Sequence, residues 1–246
     1  MKDLDSKIKN FINDLNPDTL KILKFGNMLP TIVKNFLVYE IASMVSIEKN
    51  VRENEIKNFY LKNNINNNKT LTKFLKAKKL KKEELNYQIT LPSKIYKFAE
   101  ENLKNELNEY FLKKKGFLDE YTFNIIRVKK SDLAHELYFQ LDSGESDFFK
   151  LSQRYSFYSP LYPEGVFGPR NLEGVNPIII NKLFNSTIGN LIMPFQVDEW
   201  WLIIKLLEKK QAKLDKKITK MLLIEIFNNY VKKLTQNFLE NHIKLD

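Results

Sequence analysis

Two short runs constrain this chain more than anything else in it. Residues 123–128 (FNIIRV) and 200–207 (WWLIIKLL) are strand-like, in a sequence otherwise patterned for helices. Aliphatic and aromatic runs of this length suit a pleated, buried surface. Residues 191–195 precede the second run at hairpin distance, so 191–195 and 200–207 read as two paired strands. Between the first run and the hairpin, Ser131 can cap a helix whose apolar positions are Leu133, Ala134, Leu137, Tyr138 and Leu141. Ser143 and Gly144 break that helix, and a second covers 148–155. Residues 156–174 are rich in proline and glycine. Within them Val166 and Phe167, flanked by Gly165 and Gly168, form a short strand that must pack closely. A helix over 177–184 and a turn at Gly189 complete the segment. The expected fold class is α+β: a four-stranded antiparallel sheet with packed helices, on a mostly helical body.

The flanks supply that body. Residues 4–15 space Leu4, Ile8, Phe11, Ile12 and Leu15 at three and four, which predicts an amphipathic helix ended by Asn16 and Pro17. Helices follow over 18–24, from Pro30 through Val45, over 54–61, over 70–77 and over 81–88. Proline suits a first helical turn, so Leu91 and Pro92 are expected to open a new long helix reaching Phe111. Lysines and then Gly116 are expected to end it. Asp215 caps a last long helix that reaches about His242. The resulting division is a helical N-terminal region, 1–120; a sheet domain, 121–208; and a C-terminal helix, 209–246, that packs back on the N-terminal region.

Composition narrows the chemistry. There is no cysteine, so no disulfide, thiolate nucleophile or sulfur-ligated metal is available. The two histidines, His135 and His242, lie far apart, and neither has a second histidine at metal-ligand spacing. No metal site and no cofactor are expected. The formal net charge of +10 admits nucleic-acid or anionic-membrane affinity. The lysines are interleaved with acids, however, as in residues 76–84 (KAKKLKKEE), and no aromatic residue sits there to stack on a base. Solvated lysines are the better reading. The first fifteen residues lack the apolar core of a signal peptide, and residues 29–47 are too broken by polar positions to span a bilayer. A cytoplasmic protein is the expectation.

Three segments resemble parvulin-type peptidyl-prolyl isomerases. They are residues 133–156 (LAHELYFQLDSGESDFFKLSQRYS), residues 164–168 (EGVFG) and residues 183–208 (LFNSTIGNLIMPFQVDEWWLIIKLLE). They occur in the family's order and at its distances. The helical flanks resemble, more loosely, the larger bacterial parvulins of the SurA and PrsA type, in which a chaperone domain is built from the N-terminal region and a returning C-terminal helix.

The resemblance implies a site and also a departure from the family. Its first-strand histidine falls at Ile125, its last-strand histidine near Leu202 or Trp201, and its Cys or Asp position at Phe157, Tyr158 or Ser159. The polar network is therefore missing, and Tyr158 and Ser159 are the candidate catalytic donors. The apolar proline pocket falls at Val175, Ile179 and Phe184, with Phe167 and Trp201 as further substrate-binding candidates. Prolyl isomerisation needs no covalent intermediate: a groove that desolvates the imide disfavours its dipolar resonance form and lowers a barrier of about 18–20 kcal/mol. The expected activity is a parvulin-type isomerase weakened by the missing histidines. The alternative is a non-catalytic chaperone for unfolded or precursor peptides. A basic helical nucleic-acid binder is a third reading that no recognition motif supports. The expected partner is a proline-containing or unfolded polypeptide.

Overall fold

A computed structural model describes residues 2–157 and 165–242, the side chains of residues 2 and 3 excepted. The chain divides into two compact units. It leaves the first after Tyr110 and re-enters it at Asp215.

The first unit is helical. Its elements are α1 (Lys2–Asn13), α2 (Pro17–Phe25), α3 (Leu29–Met44), α4 (Lys49–Lys62), α5 (Asn68–Lys78), α6 (Lys82–Asn102), the start of α7 (Leu107–Leu118), and α11 (Lys216–His242). The last helix packs against α3 and α6. Leu222, Leu223, Ile226, Phe227 and Val231 bury one side of it, at the spacing of three and four that an apolar helical stripe requires. Asp215 caps it, accepting a hydrogen bond from the Ile218 N–H at 2.8 Å.

Two expectations for these helices change. Residues 82–102 form one helix with Pro92 inside it, where the sequence reads a break. An internal proline removes one backbone N–H and its bond, but contacts on both sides hold this helix. Thr90 and Ala99 are buried. Ser93 donates to the Glu55 carboxylate on α4, and Lys94 Nζ reaches the Ala42 carbonyl of α3 at 3.0 Å. The helix then ends at a short 3₁₀ turn, Lys104–Glu106, and α7 runs on through Gly116 to Leu118. Gly116 is thus part of a helix and does not stop it. A Cβ there would stand 2.9 Å from the ring of Phe184, so close approach is what calls for glycine.

The second unit is built on β1 (Glu120–Val128), α8 (Ser131–Asp142), α9 (Phe148–Tyr155), β2 (Val166–Arg170), α10 (Pro177–Phe184), β3 (Leu191–Val197) and β4 (Trp200–Lys210). The four strands form an antiparallel sheet in the order β2-β1-β4-β3. Ile125 pairs with Ile204, Arg127 with Leu202 and Val128 with Trp201. Both faces of the sheet are covered, which is why β1 and β4 read as nearly continuous apolar runs. On one face Ile126, Val128 and Ile203 pack with Ala134 and Leu137 of α8 and Leu151 of α9. On the other, Phe123, Ile125, Leu202 and Ile204 pack with Leu172 and with Leu183 of α10. Asp119 ties the two ends of this unit together. It is 4% exposed, accepts the Ala212 N–H at 2.9 Å and has Lys209 Nζ at 3.7 Å.

Candidate functional site

Strand alternation decides what reaches the second face. Successive side chains of a strand point to opposite sides, so Phe123, Ile125 and Arg127 of β1 emerge together with Trp200 and Leu202 of β4. These five floor a cleft of about 330 Å³. Its walls come from Phe167 on β2, Val175 and Ile179 at the start of α10, and Val197 at the end of β3. The Phe123 and Phe167 rings meet at 5.1 Å between centroids.

The wall that α10 supplies is fixed by local chemistry. Asn176 caps the helix, its side chain accepting from the Ile178 N–H at 2.9 Å, and Pro177 fills the first helical position. Val175 is held by its own N–H, which donates to the Leu172 carbonyl at 3.2 Å. Arg170 braces the loop before it. Its guanidinium donates to the carbonyls of Asn171 and Glu173 at 3.2 and 3.1 Å, and lies 5.2 Å from the Phe167 ring.

The far end of the cleft is aromatic and basic. The Arg127 guanidinium carbon lies 4.0 Å from the Trp200 ring centroid and 5.2 Å from that of Phe157. These two rings are 4.6 Å apart. Lys129 Nζ is 5.1 Å from the Trp200 ring. Phe157 is held in place by backbone: its N–H donates to the Arg127 carbonyl at 2.9 Å, while the Arg127 N–H donates to Ser156 Oγ at 3.1 Å. Asp198, in the turn between β3 and β4, is the acidic side chain among the described residues lining the cleft.

Of the candidates read from the sequence, Phe167, Val175 and Ile179 come together on this cleft. Phe184 stands elsewhere: its ring packs against Phe117 at 5.4 Å and Tyr121 at 6.3 Å, beside Gly116, and is 37% exposed. Ile179 and Phe184 are five residues apart on the helix, so they do not share a face. Trp201 is on the opposite side of the sheet, packed with the α8 cluster, its ring 5.6 Å from that of His135. Tyr158 and Ser159 lie outside the described residues. The residues that sequence reasoning passed over are Phe123, Arg127 and Trp200. The signal for them was present: Ile125 and Leu202 were placed on the site, and positions two residues away on a strand share its face. Where the family's two histidines fall, Ile125 and Leu202 present hydrocarbon. Neither imidazole of the chain lines the cleft: His135 is on the other sheet face, and His242 belongs to the helical unit.

Burial raises the Tyr121 phenol above its ordinary value, and Asp119 adds to this; Lys209 opposes both. The phenol remains a donor, to the Gly116 carbonyl at 3.2 Å. No group of three or more His, Asp or Glu positioned to hold a metal ion occurs among the described residues. No helix among them is long and apolar enough to cross a membrane.

No model of a known protein family matches the chain, and no curated protein matches its sequence. Solved structures do match. The peptidylprolyl isomerase PrsA from Bacillus anthracis is 20% identical, over 87% of this chain and 99% of its own, with a TM-score of 0.49. The parvulin domain of PpiD from E. coli is 20% identical over 40% of this chain and 95% of its own, with a TM-score of 0.33. The peptidylprolyl isomerase PrsA from Bacillus cereus is 19% identical over 93% of this chain and 88% of its own, with a TM-score of 0.56. At that identity the last likeness is one of fold, and the fold it shows is that of PrsA: a parvulin-type sheet domain carried in a chain of helices.

Proposed function

We propose that this protein is a folding factor that binds extended, proline-containing polypeptide in the cleft of its sheet unit and turns over prolyl bonds there slowly. The observation that carries the reading is the cleft itself. A hydrocarbon floor at Ile125 and Leu202, with walls at Phe167, Val175 and Ile179, removes water from a prolyl imide. The charge-separated resonance form of an amide loses its solvation there, and rotation about C–N becomes easier. The fold shared with a structure named peptidylprolyl isomerase supports the same class of reaction. Tyr158 and Ser159 remain the proposed hydrogen-bond donors to the twisted imide.

The apolar floor also favours a second reading. No imidazole lines the cleft, so a hydrogen-bonded histidine pair is not available to assist rotation. A chain with this cleft holds its client without accelerating isomerisation, acting as a chaperone for unfolded segments.

Both readings require the cleft to bind peptide, and exchange measurements separate them. With the full chain and a blocked Ala-Ala-Pro-Phe peptide, the expected result is peptide-induced shifts at Phe123, Ile125 and Ile179, with cis/trans exchange faster than in buffer. Val175→Asp, which puts a carboxylate on the wall, is expected to weaken binding about tenfold, the scale of a lost interface anchor. Binding with exchange at the buffer rate would leave the chaperone reading. No binding would end both.

A further inference from the structure

The cleft is apolar in its middle and positively charged at both ends. Arg127 and Arg170 line it, and Lys129 stands over the Trp200 ring at one end. Against these three cations the lining offers one carboxylate, Asp198, with Glu199 beside it in the same turn. We infer that the cleft selects prolyl segments that carry an acidic side chain next to the proline, with Arg127 as the residue that reads it. The inference rests on the proposed peptide-binding role of this cleft.

Arg127 is fit for this by position and by rigidity. It occupies the floor two residues from Ile125, on the same face of β1. Its guanidinium is held against Trp200 and Phe157, and its backbone is locked on both sides: by Leu202 across the ladder, and by Ser156 and Phe157 on the other edge. A guanidinium already fixed over aromatic rings has lost its rotamer freedom before ligand arrives, so little more is lost on pairing. It has five N–H donors in a plane that matches a carboxylate. The surrounding hydrocarbon strengthens the attraction relative to open water. The short distance from the apolar floor confines the reach to residues adjoining the proline. Arg170, whose guanidinium already braces residues 171–173, contributes charge to the other wall.

The test compares blocked peptides that differ at one position: Ala-Glu-Pro-Phe, Ala-Lys-Pro-Phe and Ala-Ala-Pro-Phe, and Ala-Ala-Pro-Glu against Ala-Ala-Pro-Lys. Dissociation constants come from titration of the full chain, so catalysis is not required. The expected result is about a tenfold preference for Glu over Lys in at least one pair, the factor that one charge-assisted contact supplies. The preference should shrink as salt is raised. Arg127→Gln is expected to bring the Glu-to-Lys ratio close to one, and Arg127→Lys to restore part of it. A purely structural role for Arg127 would change all the affinities together and leave the ratio standing. Equal affinity for the Glu and Lys peptides in both pairs, with the Ala peptide still bound, overturns the inference and leaves the peptide-binding reading intact. Failure of every peptide to bind overturns both.

Discussion

Gly168 has φ +110°, and a Cβ at this position would overlap the carbonyl oxygen of Tyr121. The glycine lets β2 lie against the irregular stretch of β1 between Tyr121 and Phe123, where the register shifts. Gly168→Ala is expected to destabilise the sheet unit by about 2–4 kcal/mol, combining a forbidden backbone angle with a steric overlap. Amide hydrogen exchange along β1 and β4 measures it in that unit alone. At this scale the sequence was legible where one rule sufficed. Val175, Ile179 and Phe167 reach the cleft as placed. Phe184 and Trp201 do not, because each call needed a facing that alignment to a motif does not supply. A shift of one residue on a strand turns a side chain through the sheet, and that is the difference between Trp201 and Trp200. Arg127 was read as part of a strand and went unconsidered as a site residue, since a charged group on a cleft floor breaks the apolar pattern by which the floor was recognised.

Helix α10 is the element on which the cleft depends. It has eight residues, too few to persist without tertiary support, and Asn176 is its only side-chain cap among the described contacts. Asn176→Ala is expected to cost about 1 kcal/mol. Because Val175 and Ile179 flank the cap, peptide affinity should fall with it by a few fold; parallel chemical denaturation and peptide titration show whether the two losses go together. The strands, α8, α9 and α10 were all legible, since each has an apolar period and a stop. The continuity of α6 through Pro92 was not. Proline at an interior position is compensated by Ser93 with Glu55 and by Lys94 with Ala42, and partners some forty to fifty residues distant in the chain leave no local mark. Gly116 misled for the same reason: its reason for being glycine is Phe184, far along the sequence.

The whole molecule is assembled by leaving and returning. The helical unit is completed only when α11 arrives, and Phe227, 1% exposed, meets Phe98 of α6 edge-on at 5.8 Å between centroids. Phe227→Ala is expected to cost about 3–5 kcal/mol, the usual price of a large void in a core. Its signature is loss of helical circular dichroism at lower urea than in the parent chain. Tyr110 strengthens the same closure, donating to Glu225 at 3.0 Å while accepting from Asn229 at 3.2 Å. The amphipathic stripe of α11 was legible from its spacing. Its partners were not, because a stripe says that a face is covered and does not say by what.

Adjacent tryptophans on one strand have a practical consequence. Trp200 and Trp201 are the chain's only indoles, yet the strand sends one to the cleft beside Arg127 and the other through the sheet to His135. Replacing either by phenylalanine leaves a single intrinsic fluorophore. The Trp200 emission then reports what enters the cleft, and the Trp201 emission reports the packing of α8, so occupancy and integrity can be followed separately without attaching a dye.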